Sequence, residues 1–301
     1  MIARGSKVAN RSKGQVGEIK TRSAAGVFLI AATALLWGAA PSSAAVTCSY
    51  SATDHLVQVS ATDDFTKLVR SGDAIQIDDG HELITCAGGS PTVLNTDLIQ
   101  IAHTGRSAAA VDLGGGPLAP GFTLEPLGTA EIELQYLAPT FVDIRGTTAA
   151  ERLGFAAGGA NLDGDDDADV TGVFTTLLVE GRGGNDRIAA ESGYTTAARL
   201  RILLGQGGRD ALRATPDGSV LHGGNGNDRL SGGPGADNLT GGRGADRISG
   251  GAGRDLIRAI DGSPDRVSCG AGKDRAKVDG IDRVKACEKL IAVKRRGPVK
   301  R

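Results

Sequence analysis

Residues 223–258 read GGNGNDRLS, GGPGADNLT, GGRGADRIS and GGAGRDLIR, which are four consecutive blocks of nine residues. Glycine holds the first, second and fourth place of every block, and aspartate holds the sixth place. The eighth place is always apolar: Leu230, Leu239, Ile248 and Ile257. A short, fixed sequence period is typical of a solenoid, in which the chain winds into stacked coils. The stretch therefore predicts a coiled architecture rather than a single globular core.

Each place in the block suits a particular task. Glycine tolerates the left-handed conformations that tight turns require, and places seven to nine have the length of a short strand with place eight pointing inward. Aspartate adds a charged oxygen beside the glycine carbonyls, and Ca²⁺ binds six to eight hard oxygens of these kinds. The block therefore predicts a calcium-binding turn followed by a strand. In the alternative, the glycines only shape the turns and the aspartates are solvated.

The apolar ladder continues outside the four regular blocks. Steps of nine residues back from Leu230 reach Leu221, Leu212 and Leu203, and steps back from Ile188 reach Val179 and Val170. Less regular blocks carry an aspartate at or near place six: Asp186, Asp210, Asp265, Asp274 and Asp282. We therefore expect the coils to cover residues 161–288.

Residues 181–288 resemble the RTX, or hemolysin-type calcium-binding, repeats of secreted bacterial proteins. The resemblance implies an all-β fold, a parallel β-roll or β-helix solenoid in which two nonapeptides make one coil. It also implies several Ca²⁺ ions held between coils, so that aspartates eighteen residues apart share a column. One column would contain Asp210, Asp228 and Asp246, and the other Asp237 and Asp255. Ser219 departs from the pattern at place six of the half-coil before Asp237.

The resemblance also gives the expected calcium ligands. They are the place-six aspartates Asp186, Asp210, Asp228, Asp237, Asp246 and Asp255, with the place-one glycines Gly223, Gly232, Gly241 and Gly250.

Residues 1–45 have the features of a secretory signal peptide. Basic residues are scattered through 4–22, an apolar run covers 24–40, and Ser43, Ala44 and Ala45 offer small side chains for cleavage. The alternative is a retained membrane anchor, for which this run of about 17 residues is at the short limit. We expect an extracellular protein, secreted or associated with the cell surface, with no transmembrane span in the mature chain.

The charge and composition of the expected mature chain limit its function. Without residues 1–45 the chain has 28 basic and 34 acidic residues, a net charge of −6. A mildly acidic extracellular protein suits a cation binder and argues against a nucleic-acid partner. Aromatic residues make up only 3% of the sequence, which suits the thin apolar ladder of a solenoid better than the core of a globular enzyme.

Residues 46–160 contain short runs in which apolar and polar residues alternate, a pattern typical of β-strands. The runs are 55–59, 74–77, 97–102, 109–113, 131–137 and 141–144. Two arrangements stay open for this region: degenerate coils of the same solenoid, or an N-terminal β-rich cap. Terminal repeats of a solenoid must differ from the internal ones to avoid an open sheet edge.

The four cysteines fall near the two ends of the expected mature chain. Disulfides form and persist in an oxidising compartment, and of the three possible connectivities sequence proximity favours Cys48–Cys86 and Cys269–Cys287. The second pair is eighteen residues apart, which is one full coil. A zinc site is the alternative, although no Cys-x-x-Cys motif occurs and the four histidines are scattered.

Three charged features have two interpretations each. The alternating aspartates of 161–169 form either an acidic turn or a further cation site, although the EF-hand pattern is not met. The tail 289–301 is basic and expected to be disordered, or able to contact anionic surface polymers.

Arginine follows aspartate in six blocks, either as charge balance on a solvated face or as a basic stripe for an anionic polymer: Arg187, Arg229, Arg247, Arg266, Arg275 and Arg283.

The sequence contains no catalytic motif that we recognise, since HExxH and GxSxG are both absent. We therefore expect a secreted calcium-binding structural or interaction protein whose β-roll folds when Ca²⁺ binds outside the cell. Anionic cell-surface polymers or glycans are the further partners that the charge pattern suggests. The alternative function is a secreted carbohydrate-acting or other hydrolase or lyase that carries an RTX-like module.

Overall fold

A computed structural model describes residues 46–62, 65–92, 94–96, 98–104, 108–112, 114, 133–137, 141–150, 152–156, 159–161, 170–172, 176–190 and 200–293. The expected signal peptide 1–45, the acidic residues 162–169 and the chain after residue 293 lie outside these ranges. The elements of the described part are β-strands, which form two long sheets.

Sheet A has 13 strands and sheet B has 12. The strands of sheet A are β1 (Thr47–Ser51), β2 (Leu56–Thr62), β6 (Leu98–Thr104), β8 (Glu133–Leu137), β10 (Arg152–Ala156), β11 (Gly159–Asn161), β12 (Val170–Gly172), β14 (Arg187–Ala190), β16 (Ala211–Arg213), β18 (Arg229–Gly233), β20 (Arg247–Gly253), β22 (Arg266–Gly272) and β24 (Arg283–Lys285). The strands of sheet B are β3 (Phe65–Ser71), β4 (Ala74–Asp78), β5 (Leu83–Ile84), β7 (Ala108–Asp112), β9 (Phe141–Arg145), β13 (Thr176–Glu180), β15 (Leu200–Gly207), β17 (Val220–Asn225), β19 (Asn238–Arg243), β21 (Leu256–Ala259), β23 (Arg275–Asp279) and β25 (Lys289–Val293).

Successive strands of the repeat region alternate between the two sheets, so that two nonapeptides make one coil. Each strand pairs in parallel with the strand one coil later: Leu221 lies beside Leu239 in sheet B, and Leu230 lies beside Ile248 in sheet A. Both pairs are eighteen residues apart in the sequence. The predicted fold class, an all-β solenoid of parallel strands, is therefore confirmed.

The core lies between the two sheets and consists mainly of the place-eight ladder. Its side chains in the repeat region are at most 2% exposed: Leu203, Leu212, Leu221, Leu230, Leu239, Ile248, Ile257, Val267 and Ala276. Each rung packs on the rungs of the coils before and after it, which buries apolar surface without a thick core. This is the ladder that the nine-residue spacing predicts.

The N-terminal half continues the same two sheets. Each of the six alternating runs overlaps a strand within its described residues, and β2, β6 and β8 pair in parallel in sheet A while β3, β7 and β9 pair in parallel in sheet B. The first edge of each sheet is antiparallel, since β1 pairs with β2 and β4 pairs with both β3 and β5. The described residues between 46 and 160 thus combine coils with antiparallel edge strands, where the sequence left these as alternatives.

Disulfides join the cysteines in the pairing that proximity favours. Cys48 of β1 is bonded to Cys86, and Cys269 of β22 is bonded to Cys287, with 5.0 Å between the Cα atoms of the second pair. Closing a loop of 18 residues contributes about 3 kcal/mol to stability in the chain-entropy model. The second bridge therefore fastens the last coil to the one before it.

The prediction of a disordered tail from residue 289 is wrong for its first five residues. Lys289–Val293 form β25 and pair in parallel with β23, where Leu290 lies beside Ala276. The short apolar run LIAV follows the last half-coil and adds one more strand to sheet B. The basic composition of the tail conceals this run.

The ladder generates a stability prediction with a control on a neighbouring strand. Leu239→Ala should reduce the free energy of unfolding by about 2–5 kcal/mol, because it removes a fully buried rung that neighbouring rungs cannot replace. Leu256→Ala, one coil later in the same sheet and 47% exposed, should change it by no more than about 0.5 kcal/mol. Chemical denaturation in excess Ca²⁺ measures both, and equal losses would contradict the ladder.

Candidate metal centre

The place-six side chains form two columns, one at the start of the strands of each sheet. We call them column one and column two. Column one contains Asp186, Asp210, Asp228, Asp246, Asp265 and Asp282. Column two contains Ser219, Asp237, Asp255, Asp274 and Glu288. The aspartates that the resemblance assigns to two columns are therefore brought together in those two columns.

After the first member of each column, one carboxylate oxygen of every member accepts a hydrogen bond from the main chain of the preceding coil. The N–H of Asp210 donates to Oδ1 of Asp228 at 2.9 Å, and the N–H of Asp237 donates to Oδ1 of Asp255 at 3.0 Å. The same bond recurs along both columns, and Glu288 accepts from the N–H of Asp274 at 2.8 Å. Each carboxylate thus joins two coils and has a fixed orientation.

The second carboxylate oxygen has no such bond. Oδ2 is buried and lacks a hydrogen-bond partner within the described residues in seven aspartates: Asp210, Asp228, Asp237, Asp246, Asp255, Asp265 and Asp274. A buried carboxylate oxygen without a partner is costly, because it has lost its water without compensation. The two columns therefore present two rows of oxygen atoms that a cation would stabilise.

In the four regular blocks, glycine at place one leaves room for this second oxygen. A Cβ at Gly223, Gly232, Gly241 or Gly250 would collide with Oδ2 of the aspartate five residues later in the same block. The same Cβ at Gly223 or Gly232 would also meet the carbonyl oxygen of the place-one glycine in the next coil. A carboxylate oxygen and a main-chain carbonyl oxygen thus approach the same point, which only glycine leaves open.

Burial shifts the acid–base equilibrium of the columns. Loss of water raises the pKa of Asp228 and of Asp237 to about 6 and the pKa of Asp246 and of Asp265 to about 7, despite main-chain hydrogen bonds that lower each value. Neighbouring carboxylates of the same column contribute further to the increase in these pKa values. Without a cation, these four aspartates therefore keep their protons well above the ordinary aspartate pKa of 3.8.

The oxygen donors beside the columns are of the kind that calcium binds. They are the buried Oδ2 atoms of the aspartates and the carbonyl oxygens of place-one glycines. Hard oxygen ligands of these two kinds are those that Ca²⁺ prefers. Side chains of histidine, cysteine, aspartate and glutamate do not form a group of three or more close enough to hold a metal in the part of the chain that the structure describes.

Column two differs from column one at its N-terminal end. Arg201 lies two residues before Leu203, as Ser219 lies two residues before Leu221, and Leu203 pairs with Leu221. Arg201 thus occupies the place-six position in the coil before Ser219. The side chain of Arg201 is only 1% exposed, so this inward row reads arginine, serine and then aspartate.

A polar network surrounds this buried guanidinium. Nη1 of Arg201 donates to Oγ1 of Thr215 at 3.0 Å, and Nη2 lies 3.7 Å from Oδ2 of Asp217. The N–H of Thr215 donates to Oγ of Ser219 at 3.2 Å. A fixed cation and two hydroxyl groups therefore stand where a further carboxylate would extend column two, and a metal ion at this level would meet like charge.

Sequence reasoning missed two members of these rows. Arg201 lies two residues before Leu203, which is the spacing of a place-six residue from the apolar ladder. Its block lacks the glycine pattern, so this spacing was overlooked. Glu288 follows Asp274 by only fourteen residues, so counting by nine misses it. Asp186 joins column one although it precedes Asp210 by twenty-four residues rather than eighteen.

Comparison with protein-family models gives a match to the RTX calcium-binding nonapeptide repeat, in its four-copy form, at residues 204–239 and 222–257. The match covers the four regular blocks and the coil before them. Neither the curated proteins nor the solved structures give a significant match. Within the described residues, we find no helix with the length and apolar character needed to cross a membrane.

The contact between place one and the aspartate Oδ2 predicts that one added methyl group weakens calcium binding. Gly241→Ala should weaken calcium affinity at least tenfold, because the new Cβ displaces Oδ2 of Asp246 from its position. Gly280→Ala is the matched control, since a Cβ at Gly280 has no atom within 4 Å. Isothermal calorimetry of both variants tests this, and unchanged affinity in Gly241→Ala would contradict the proposed position of the ligand.

The raised pKa values predict how the metal-free protein responds to pH. The folded state binds more protons than the unfolded state between the ordinary pKa of 3.8 and the folded values of about 6 to 7. Stability in EDTA should therefore decrease as the pH rises from about 4 to about 7. Melting temperatures in EDTA measure this, and excess Ca²⁺ should reverse the trend because calcium competes with protons for the carboxylates. A melting temperature in EDTA that increases over this range would contradict the assignment.

Proposed function

We propose that this chain is a secreted calcium-binding protein and that its β-roll completes folding when Ca²⁺ binds outside the cell. The match of residues 204–257 to the RTX calcium-binding nonapeptide repeat supports the proposal. The observation that carries it is the pair of Asp columns with buried Oδ2 atoms that lack a hydrogen-bond partner within the described residues.

The residues that would hold the ions are the column aspartates together with the carbonyls of the place-one glycines. Ca²⁺ supplies positive charge and accepts hard oxygen ligands when bound. Asp228 and Asp246 would contribute Oδ2 in column one, and Asp237 and Asp255 would contribute Oδ2 in column two. Their Oδ1 atoms remain bound to the main chain of the preceding coil, so the coils are joined by hydrogen bonds and by shared ions.

Electrostatic repulsion explains why the metal-free columns resist folding. Neighbouring coils of a parallel sheet lie about 4.8 Å apart, and two unit charges at that distance repel by about 0.9 kcal/mol in water and about 3.5 kcal/mol at an effective dielectric constant of 20. Column one stacks six carboxylates in this manner. Either protons or cations must therefore neutralise the column as the coils come together.

Binding to the folded form alone adds directly to stability. One site contributes about 2.7 kcal/mol when free calcium is one hundred times its dissociation constant. Several such sites together match the 5–15 kcal/mol that stabilises a typical domain. Because free calcium is low in the cytosol and high outside the cell, the repeat region would stay unfolded during export and fold after it.

A calcium titration of the chelated protein tests the proposal. β-Structure by circular dichroism and the melting temperature should both increase with calcium, and Asp246→Asn should reduce the gain because it removes one anionic ligand but keeps the shape of the side chain. Glu82→Gln is the control, since it removes the same charge from an exposed residue. A chain that is equally ordered in excess EDTA and in excess calcium would overturn the proposal.

A further inference from the structure

The arginines at place seven of sheet A form a continuous row. Arg229, Arg247, Arg266 and Arg283 lie in register on β18, β20, β22 and β24, and all four side chains are exposed. They lie about one coil spacing, or roughly 4.8 Å, apart along the solenoid. Four cations are therefore held in a line that crosses the strands.

This row is one wall of a cleft with a volume of about 620 Å³. The opposite wall is formed by the place-five residues, which include Arg209 and Asn227, and the place-six residues lie between the two walls. We call this cleft the arginine groove. It follows the axis of the solenoid across consecutive coils, so a ligand that fills it must be extended.

The fold does not require arginine at place seven. In sheet B the equivalent row reads Val220, Asn238, Leu256, Arg275 and Lys289 in the same register. Valine, asparagine and leucine thus satisfy the same backbone position. The arginines of sheet A need a reason other than the packing of the coils.

Within the described residues, the arginines of this row also lack the acidic ion-pair partners that charge balance would require. No ion pair joins Arg229, Arg247, Arg266 or Arg283 to a carboxylate among the residues that the structure describes. The nearest anions are the column-one aspartates Asp228, Asp246 and Asp265, which line the floor of the groove and are only 1% exposed. Once cations neutralise that column, the positive charge of the groove is no longer offset from within.

We propose that the arginine groove binds a linear acidic polysaccharide outside the cell, and that it does so in the calcium-folded state. This inference rests on the proposed function, because the row exists only when the coils are stacked. Guanidinium groups bind carboxylate and sulfate in a bidentate manner, and a linear polymer with an acidic group on its sugars offers such anions at regular intervals.

The lining favours a polysaccharide over a nucleic acid. Proteins that bind single-stranded nucleic acid stack the bases on aromatic side chains, and no phenylalanine, tyrosine or tryptophan lines the arginine groove. The whole chain carries a net charge of −1 rather than the strong positive charge of a general nucleic-acid binder. The basic character is confined to a narrow stripe.

Binding of defined polymers to the full-length protein tests the inference. Dextran sulfate and short oligogalacturonates supply sulfate and carboxylate, neutral dextran is the uncharged control, and single-stranded DNA is the competing polyanion. The variant is Arg229→Gln/Arg247→Gln/Arg266→Gln. The matched control removes three exposed arginines outside the groove, Arg254→Gln/Arg258→Gln/Arg275→Gln. Calorimetry is carried out in calcium at several salt concentrations.

We expect at least one of the two acidic carbohydrates to bind and neutral dextran not to bind. The groove variant should bind at least tenfold more weakly, with a salt dependence reduced by roughly one unit for each arginine removed, while the control variant binds like the parent protein. The preferred carbohydrate identifies sulfate or carboxylate as the recognised group.

Three results would overturn the inference. They are equal losses in the groove and control variants, tighter binding of single-stranded DNA than of both carbohydrates, and no binding of any acidic carbohydrate. The calcium-induced gain in β-structure is measured on the same samples. If that gain is normal while binding fails, the inference about the groove is wrong and the proposed function stands; if the gain is absent, the proposed function itself fails.

Discussion

The repeat region depends on the bond between a place-six carboxylate and the main chain of the coil before it. In Asp228, Oδ1 accepts the N–H of Asp210 while Oδ2 lies against Gly223 without a partner. The bond fixes the spacing of two coils, and it also brings a negative charge into a place with little water. The fold thereby creates a requirement for positive charge that hydrogen bonding alone does not meet.

The glycine pattern follows from the same geometry. In the regular blocks, the carboxylate of each block lies where a Cβ at place one would stand. Gly224 at place two and Gly226 at place four have positive φ angles of 112° and 139°, and a Cβ at either would collide with a carbonyl of the preceding coil. Less regular blocks carry Gln206 at place two and Cys269 at place one, so glycine eases the stacking of the turns in the regular blocks without being indispensable in every coil.

The regular blocks made the repeat region predictable because each place has one physical role. Place eight is buried and place six lies in a column wherever the period of nine holds, as for Leu239 and Asp237. The N-terminal strands were predictable as strands but not in their pairing, since alternation identifies a half-buried strand without specifying its neighbours.

Other features depend on contacts that the glycine pattern does not encode. Arg201 occupies a column position only because of the register of β15 with β17. The strand at Lys289–Val293 exists because β23 offers an unpaired edge. In both cases the tertiary partner decides the outcome, and the partner is not adjacent in the sequence.

The inward row that contains column two changes from apolar to acidic side chains along the solenoid. The two parts of the row are therefore stabilised by different interactions. Toward the N-terminus the same row consists of Ala109, Val142 and Leu177, all at most 1% exposed and in register across β7, β9 and β13. Arg201 follows Leu177 in register, and beyond Ser219 the row is acidic. The apolar part is stabilised by the burial of apolar side chains, whereas the acidic part places carboxylates where water is scarce. Coils of a solenoid fold by adding to neighbours that are already formed, so the apolar part offers an edge to the acidic coils. In this row the buried guanidinium of Arg201 provides positive charge at the point where the carboxylates begin.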